Sequence, residues 1–303
     1  MANGDGLTAT GLSHLVVPVD DLAVAAFYRD TLGFGPGPAD SIAECGRSVT
    51  LQGADGGLLV LCEDKDRPDL TATGVHQAYG VGAGARKRIL DALATQGIEV
   101  HSYKEDNPDE EADNCYFFDP TGNRIQLVTR RADSPHPALD HAAIQVANMW
   151  WAETFYERTL GCAVTHRCGW KTGDYTRAQL WADGIEDMAP GTRRMDKRYS
   201  AMVNKKELPR VNLQIYFRIG ETPFAVYLAN RHFQESPEEA CIGTPRTAFA
   251  VSAATLDNAC RRLESAQWRF KGPVVQKDGP VARAVYFRDP GGNFIELSER
   301  KGG

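Results

Sequence analysis

Residues 115–130 read CYFFDPTGNRIQLVTR, and residues 285–300 read VYFRDPGGNFIELSER. Each copy is an aromatic strand, an Asp-Pro turn with glycine, and a second strand with one polar residue between apolar ones. That residue is Gln126 in the first copy and Glu296 in the second. Successive strand side chains point to opposite faces, so the polar residue can enter a cavity while its neighbours pack. Such self-similarity marks a duplication, and it governs the reading of the rest of the chain.

The duplication extends upstream. LSHLVVPVDDLAVAAFYRDTLGF begins at Leu12, and LDHAAIQVANMWWAETFYERTLGC begins at Leu139. Both start with an apolar strand carrying one histidine, His14 or His141, and continue into an amphipathic helix. Asp20, Asp21 and Asn148 are candidate N-caps. Gly33 and Gly161 stand where a left-handed C-cap is wanted. A weaker version begins at Val75, with His76 and a helix predicted over 85–96. A fourth begins at Arg246, with a helix predicted over 255–266. The chain therefore parses as four βαβββ units starting near residues 10, 74, 138 and 245. The fold class is α+β.

Residues 1–8 are expected to be a disordered tail. The polar linker RADSPHPA at 131–138 divides a half over 9–131 from a half over 138–300. The third unit is the longest, and its excess is placed near 185–209 as a lid or a solvated loop.

Composition excludes several classes. A net charge of −6 gives no basic face for nucleic acid. No apolar run is long enough to span a membrane, and the N-terminus lacks the pattern of a signal peptide. The seven cysteines form no CxxC pair and are read as reduced thiols of a cytoplasmic protein. Gly82-Ala83-Gly84 lacks the rest of a dinucleotide fingerprint, so no organic cofactor is expected.

The stretches HLVVPVDDL…FYRDTLGF, H-x-A-Y and YFFDPTGNRIQL resemble the vicinal oxygen chelate superfamily over nearly the whole chain. That group holds glyoxalase I, methylmalonyl-CoA epimerase, fosfomycin and bleomycin resistance proteins, and type I extradiol dioxygenases. Tyr286–Glu296 also resembles the end of the extradiol signature. The resemblance implies paired units forming two cupped, barrel-like domains. It also implies a divalent metal held by the first and last strands of each unit.

Carried onto this chain, the first-strand positions are His14, His76, His141 and Arg246. The last-strand positions are Val60, Gln126, Tyr227 and Glu296, with Val60 and Tyr227 resting on looser matches. Pairing neighbours gives His14, His76 and Gln126 in one cup. Pairing the second unit with the third gives His76, Gln126, His141 and Tyr227. The remaining cup then holds His14, Val60, Arg246 and Glu296. Arg246 would repel a metal and pair with Glu296.

The expected ligands are therefore His76, Gln126, His141 and His14, with Tyr227 and Glu296 as acid–base candidates. Two His and a carboxylate suit Fe(II), whereas a fourth protein ligand suits Ni, Co or Zn acting without redox change; Mn is also left open. The leading expectation is an extradiol-type dioxygenase with Fe(II) acting on an aromatic diol. A non-redox isomerase or epimerase and a ligand-sequestering binding protein are the alternatives. The expected partner is a small molecule; a homodimer is left open. No half holds the full His-His-Glu set, and the His that precedes the aromatic strand of the extradiol signature is missing.

Overall fold

The computed structural model describes residues 7–39, 42, 44, 46–67, 69–71, 74–102, 114–130, 134, 136–146, 149–168, 214–219, 222–228 and 240–302. The first unit contributes β1 (Ala9–Val19), β2 (Gly35–Pro36), β3 (Ser48–Gln52) and β4 (Leu58–Glu63). The second contributes β5 (His76–Val81), α1 (Ala83–Thr95), β6 (Cys115–Phe118) and β7 (Arg124–Thr129). The third has β8 (Ala138–Val146), α2 (Met149–Thr154), β9 (Ala163–Cys168), β10 (Gln214–Ile219) and β11 (Thr222–Leu228). The fourth has β12 (Arg246–Val251), α3 (Ala253–Ser265), β13 (Phe270–Val275), β14 (Val281–Arg288) and β15 (Phe294–Arg300).

Local sequence explains these elements. Ser252 caps α3 by accepting from the Thr255 N–H at 3.2 Å, and Leu256, Ala259, Cys260 and Leu263 form its buried stripe. Ala85, Ile89 and Leu93 do the same for α1. The helices expected around FYRDTLG and FYERTLG are shorter and wider than α-helices. Asp21 caps a 3-10 turn at Leu22–Val24, then Phe27–Leu32 form a π-helical turn; Phe155–Thr159 repeat that turn after α2. Gly33 ends the first at φ +89, a left-handed conformation that favours glycine.

In every unit the first and last strands lie parallel: β1 on β4, β5 on β7, β8 on β11, β12 on β15. Two seams then join first strands antiparallel, β1 to β12 and β5 to β8. One sheet thus runs β13-β14-β15-β12-β1-β4-β3-β2, and the other β6-β7-β5-β8-β11-β10-β9. The first cup combines units one and four, and the second combines units two and three. The sheets therefore do not coincide with the halves 9–131 and 138–300; each takes one unit from either half.

Within each half, the two repeat motifs meet instead. The Tyr28 hydroxyl donates to Asp119 at 2.7 Å, and Asn123 donates to the Pro18 carbonyl at 2.9 Å. Tyr156 donates to Asp289 at 3.1 Å, and Asn293 to the Gln145 carbonyl at 3.0 Å. One apolar core built from all four units includes Leu15, Val17, Tyr79, Ile125, Leu127, Ile144, Ile295 and Leu297. These alternate with the polar positions, so the histidines face the opposite, concave sides.

Leu7, expected in the tail, is buried, and its N–H donates to Leu160 at 3.0 Å. The predicted insertion at 185–209, together with Trp170, Tyr175, Trp181 and His232, lies outside the described residues. Trp151 is core. Cys62, Cys115, Cys162, Cys241 and Cys260 are in no disulfide. Among the described residues no helix is long and apolar enough to cross a membrane.

Candidate metal centre

Strand register assembles the site in the second cup. Ala78 of β5 lies opposite Gln126 on one side and His141 on the other, so all three share a face. His76, two residues before Ala78, shares it too. His76 is in turn opposite Ala143, which is opposite Ala225. Three alanines therefore form a low floor, and His76, Gln126 and His141 rise from it. All three are nearly buried.

Both imidazoles are oriented by their far nitrogen. His76 Nδ1–H donates to the Gly74 carbonyl at 2.8 Å. His141 Nδ1–H donates to Asp140 Oδ1 at 2.7 Å, and Arg130 holds the other Asp140 oxygen at 2.7 Å. Asp140 is depressed below the usual carboxylate range: burial raises it, but the bond to His141 and the Arg130 guanidinium outweigh that. Arg130 reaches Asp140 across Gly80, where a Cβ would collide with its side chain. Such outer bonds fix tautomer and direction in metal-binding histidines.

With Nδ1 committed, neutral His76 presents its Nε2 lone pair to Gln126 Oε1, 3.0 Å away. Burial, then the nearby His141, pushes His76 down to about 3, so it is neutral at ordinary pH. Two acceptors thus face each other, which only a cation or a turned amide relieves. The His76 and His141 ring centroids are 5.7 Å apart, as are those of His76 and Tyr227. This donor set fits a divalent metal. Among the described residues no group of three His, Cys, Asp or Glu is placed to share one; the third donor here is an amide.

Tyr227 is displaced from its expected place. It pairs with Gln145, and the last-strand position equivalent to Gln126 falls on Ala225. Tyr227 stays on the same face, two residues along. The expectation of a fourth ligand there is corrected by this register.

The first cup repeats the geometry with different residues. Glu296, Ala248 and His14 form one row. Arg246, Val16 and Val60 form the next. His14 Nε2–H donates to Glu296 Oε2 at 3.1 Å, and Arg246 Nε–H donates to the same oxygen at 2.8 Å. The Ser298 hydroxyl donates to Oε1 at 2.6 Å. Burial raises the Glu296 carboxyl, but His14 and Arg246 prevail and hold it at about 2.

Residues 138–297 match the family described as the Glyoxalase/Bleomycin resistance protein/Dioxygenase superfamily. The chain belongs to that superfamily. A proposed dioxygenase from Bacillus subtilis has a similar structure, with a TM-score of 0.62, 14% identity, and coverage of 98% of this chain and 87% of that one. Glyoxalase I from Zea mays has a TM-score of 0.57 and 14% identity, covering 95% and 92%. At such identity these likenesses show the fold alone. No curated protein matches the chain in sequence.

In this member of the superfamily, then, His76, Gln126 and His141 come together with Tyr227 beside them. His14 and Glu296 lie in the other cup, where Glu296 accepts from both His14 and Arg246. His14 is therefore no partner of His76. Arg246 pairs with Glu296 as its charge required. The sequence reading missed Asp140 and the alanine floor. Both had a signal: Asp precedes His141 where Ser13 precedes His14, and Ala143 stands where the first copy has Val16.

Proposed function

We propose that this chain is a metal-dependent, non-redox enzyme of the isomerase or epimerase type, acting on a small molecule with adjacent oxygens. The convergence of His76, Gln126 and His141 on one face of the second cup, with both imidazoles oriented through Nδ1, carries the reading. His76, Gln126 and His141 would hold the divalent metal. Bound there, it would act as a Lewis acid that polarises a carbonyl. A neutral amide in place of a carboxylate leaves more positive charge for that task.

The chain's own groups supply the rest. Ala78, Ala143 and Ala225 keep the floor between the three side chains low, where bulkier residues would crowd a substrate. Tyr227, ionised to its phenolate, would take the substrate's α-proton and return it. Arg124 sits two residues before Gln126 on the same face and acts electrostatically on His76.

Extradiol ring cleavage is the second reading. The Tyr286–Glu296 likeness to the extradiol signature favours it. Against it, Glu296 lies in the other cup. Turnover of 2-hydroxycarbonyl compounds under strict anaerobiosis supports the first reading. Oxygen uptake on catechols with Fe(II), and none of that anaerobic turnover, overturns it. The Tyr227→Phe variant is expected to keep its metal and lose about 10²–10⁴-fold in kcat.

A further inference from the structure

The first cup holds a complete counterpart of the candidate metal centre in which one position is a cation. By register, Arg246 occupies the place of His76, Glu296 that of Gln126, and His14 that of His141. The Arg246 Nε–H and the His14 Nε2–H converge on one oxygen of Glu296, at 2.8 and 3.1 Å. All three side chains are essentially inaccessible to solvent.

The floor differs in the same sense. Where the second cup has Ala143 and Ala225, the first has Val16 and Val60. These two pack with Ile42, Leu58 and Cys62 in a separate buried apolar cluster. Ile42 comes from the segment between β2 and β3, so the chain itself fills this cup.

We infer that Arg246 is a built-in substitute for a metal ion, and that the first cup is a sealed, metal-free counterpart of the second. A buried carboxylate needs a cation. In one cup the chain supplies it covalently; in the other an amide stands in place of the carboxylate and the cation is left to be bound. The inference shares its template with the proposed function but concerns the opposite cup, so either can fail alone.

The test is Arg246→His, which completes a His-His-carboxylate set around His14 and Glu296. Wild-type and variant chains are refolded with Co(II), dialysed and assayed for cobalt, and the cobalt d–d absorption is recorded. The variant is expected to bind one equivalent more than wild type, with a new absorption band. A variant that folds, as circular dichroism reports, yet binds no more than wild type overturns the inference. A wild type without cobalt beside a variant with one equivalent sinks the proposed function alone. A second variant, Arg246→Met with Glu296→Gln, removes the buried pair without leaving a charge. It is expected to fold and keep the wild-type cobalt content; loss of one equivalent overturns the inference even if Arg246→His does not fold.

Discussion

Gln126 and Glu296 occupy one place in two copies of a motif, and their neighbours give them opposite roles. Glu296 is saturated by His14, Arg246 and Ser298. Gln126 turns its oxygen to an imidazole that has no proton to give. Gln126→Glu should therefore tighten metal binding by roughly tenfold or more, because a carboxylate adds Coulombic attraction; calorimetric titration with Co(II) reads it, and weaker binding speaks against the assignment. Asp140→Ala should weaken binding about 10–100-fold by releasing His141. Burial also makes stability depend on pH. The unfolded chain protonates His76 below its ordinary 6.5, whereas the folded chain resists until about 3. Stability is thus lost as pH falls, by about 2 kcal/mol from this group at pH 5. Glu296, held at about 2 against an ordinary 4.5, adds a loss of the same sign below that value. Urea midpoints at pH 7 and pH 5 check this, and equal midpoints contradict it. His76 and Gln126 fall in one cup under both pairings that the sequence leaves open, and the register of β5 and β7 puts them on one face. Tyr227 was misplaced because alternation along PFAVYLA is equally satisfied two residues away; only the pairing of β11 with β8 decides.

At the scale of elements, the strands and both long helices follow their apolar patterns closely, with Ser252 capping α3. The π-helical turns did not, since local propensity favours an α-helix through FYRDT and FYERT. Tertiary contacts override it: the turn seats the buried Tyr28 hydroxyl on Asp119 and that of Tyr156 on Asp289. Asp119 in turn accepts from the Thr121 and Asn123 N–H groups, shaping the DPTGN turn. The two most conspicuous words of the sequence are therefore the two sides of one contact. Tyr28→Phe should cost about 1.5–3 kcal/mol, the range for a hydrogen bond to a charged group. Urea unfolding at neutral pH measures it, and an unchanged midpoint would show that the contact holds nothing.

Across the whole molecule, the repeat established four units but left their pairing open. Units adjacent in sequence usually pair, and either arrangement buries the same faces. The observed exchange makes each cup depend on both halves, since β1 needs β12 and β5 needs β8. Residues 1–132 expressed alone would expose both seam strands as unpaired edges and should self-associate. Sedimentation should show dimers or larger species; a monomer would mean that units one and two close on each other. The exchange also separates His14 from His76 and puts His76 with His141, which is the central claim. The cobalt content of His76→Ala, His141→Ala and His14→Ala chains, compared with wild type after dialysis, tests it most directly. The account predicts one equivalent in wild type and in His14→Ala, and none in the other two. Metal lost from His14→Ala but kept by His141→Ala would contradict it.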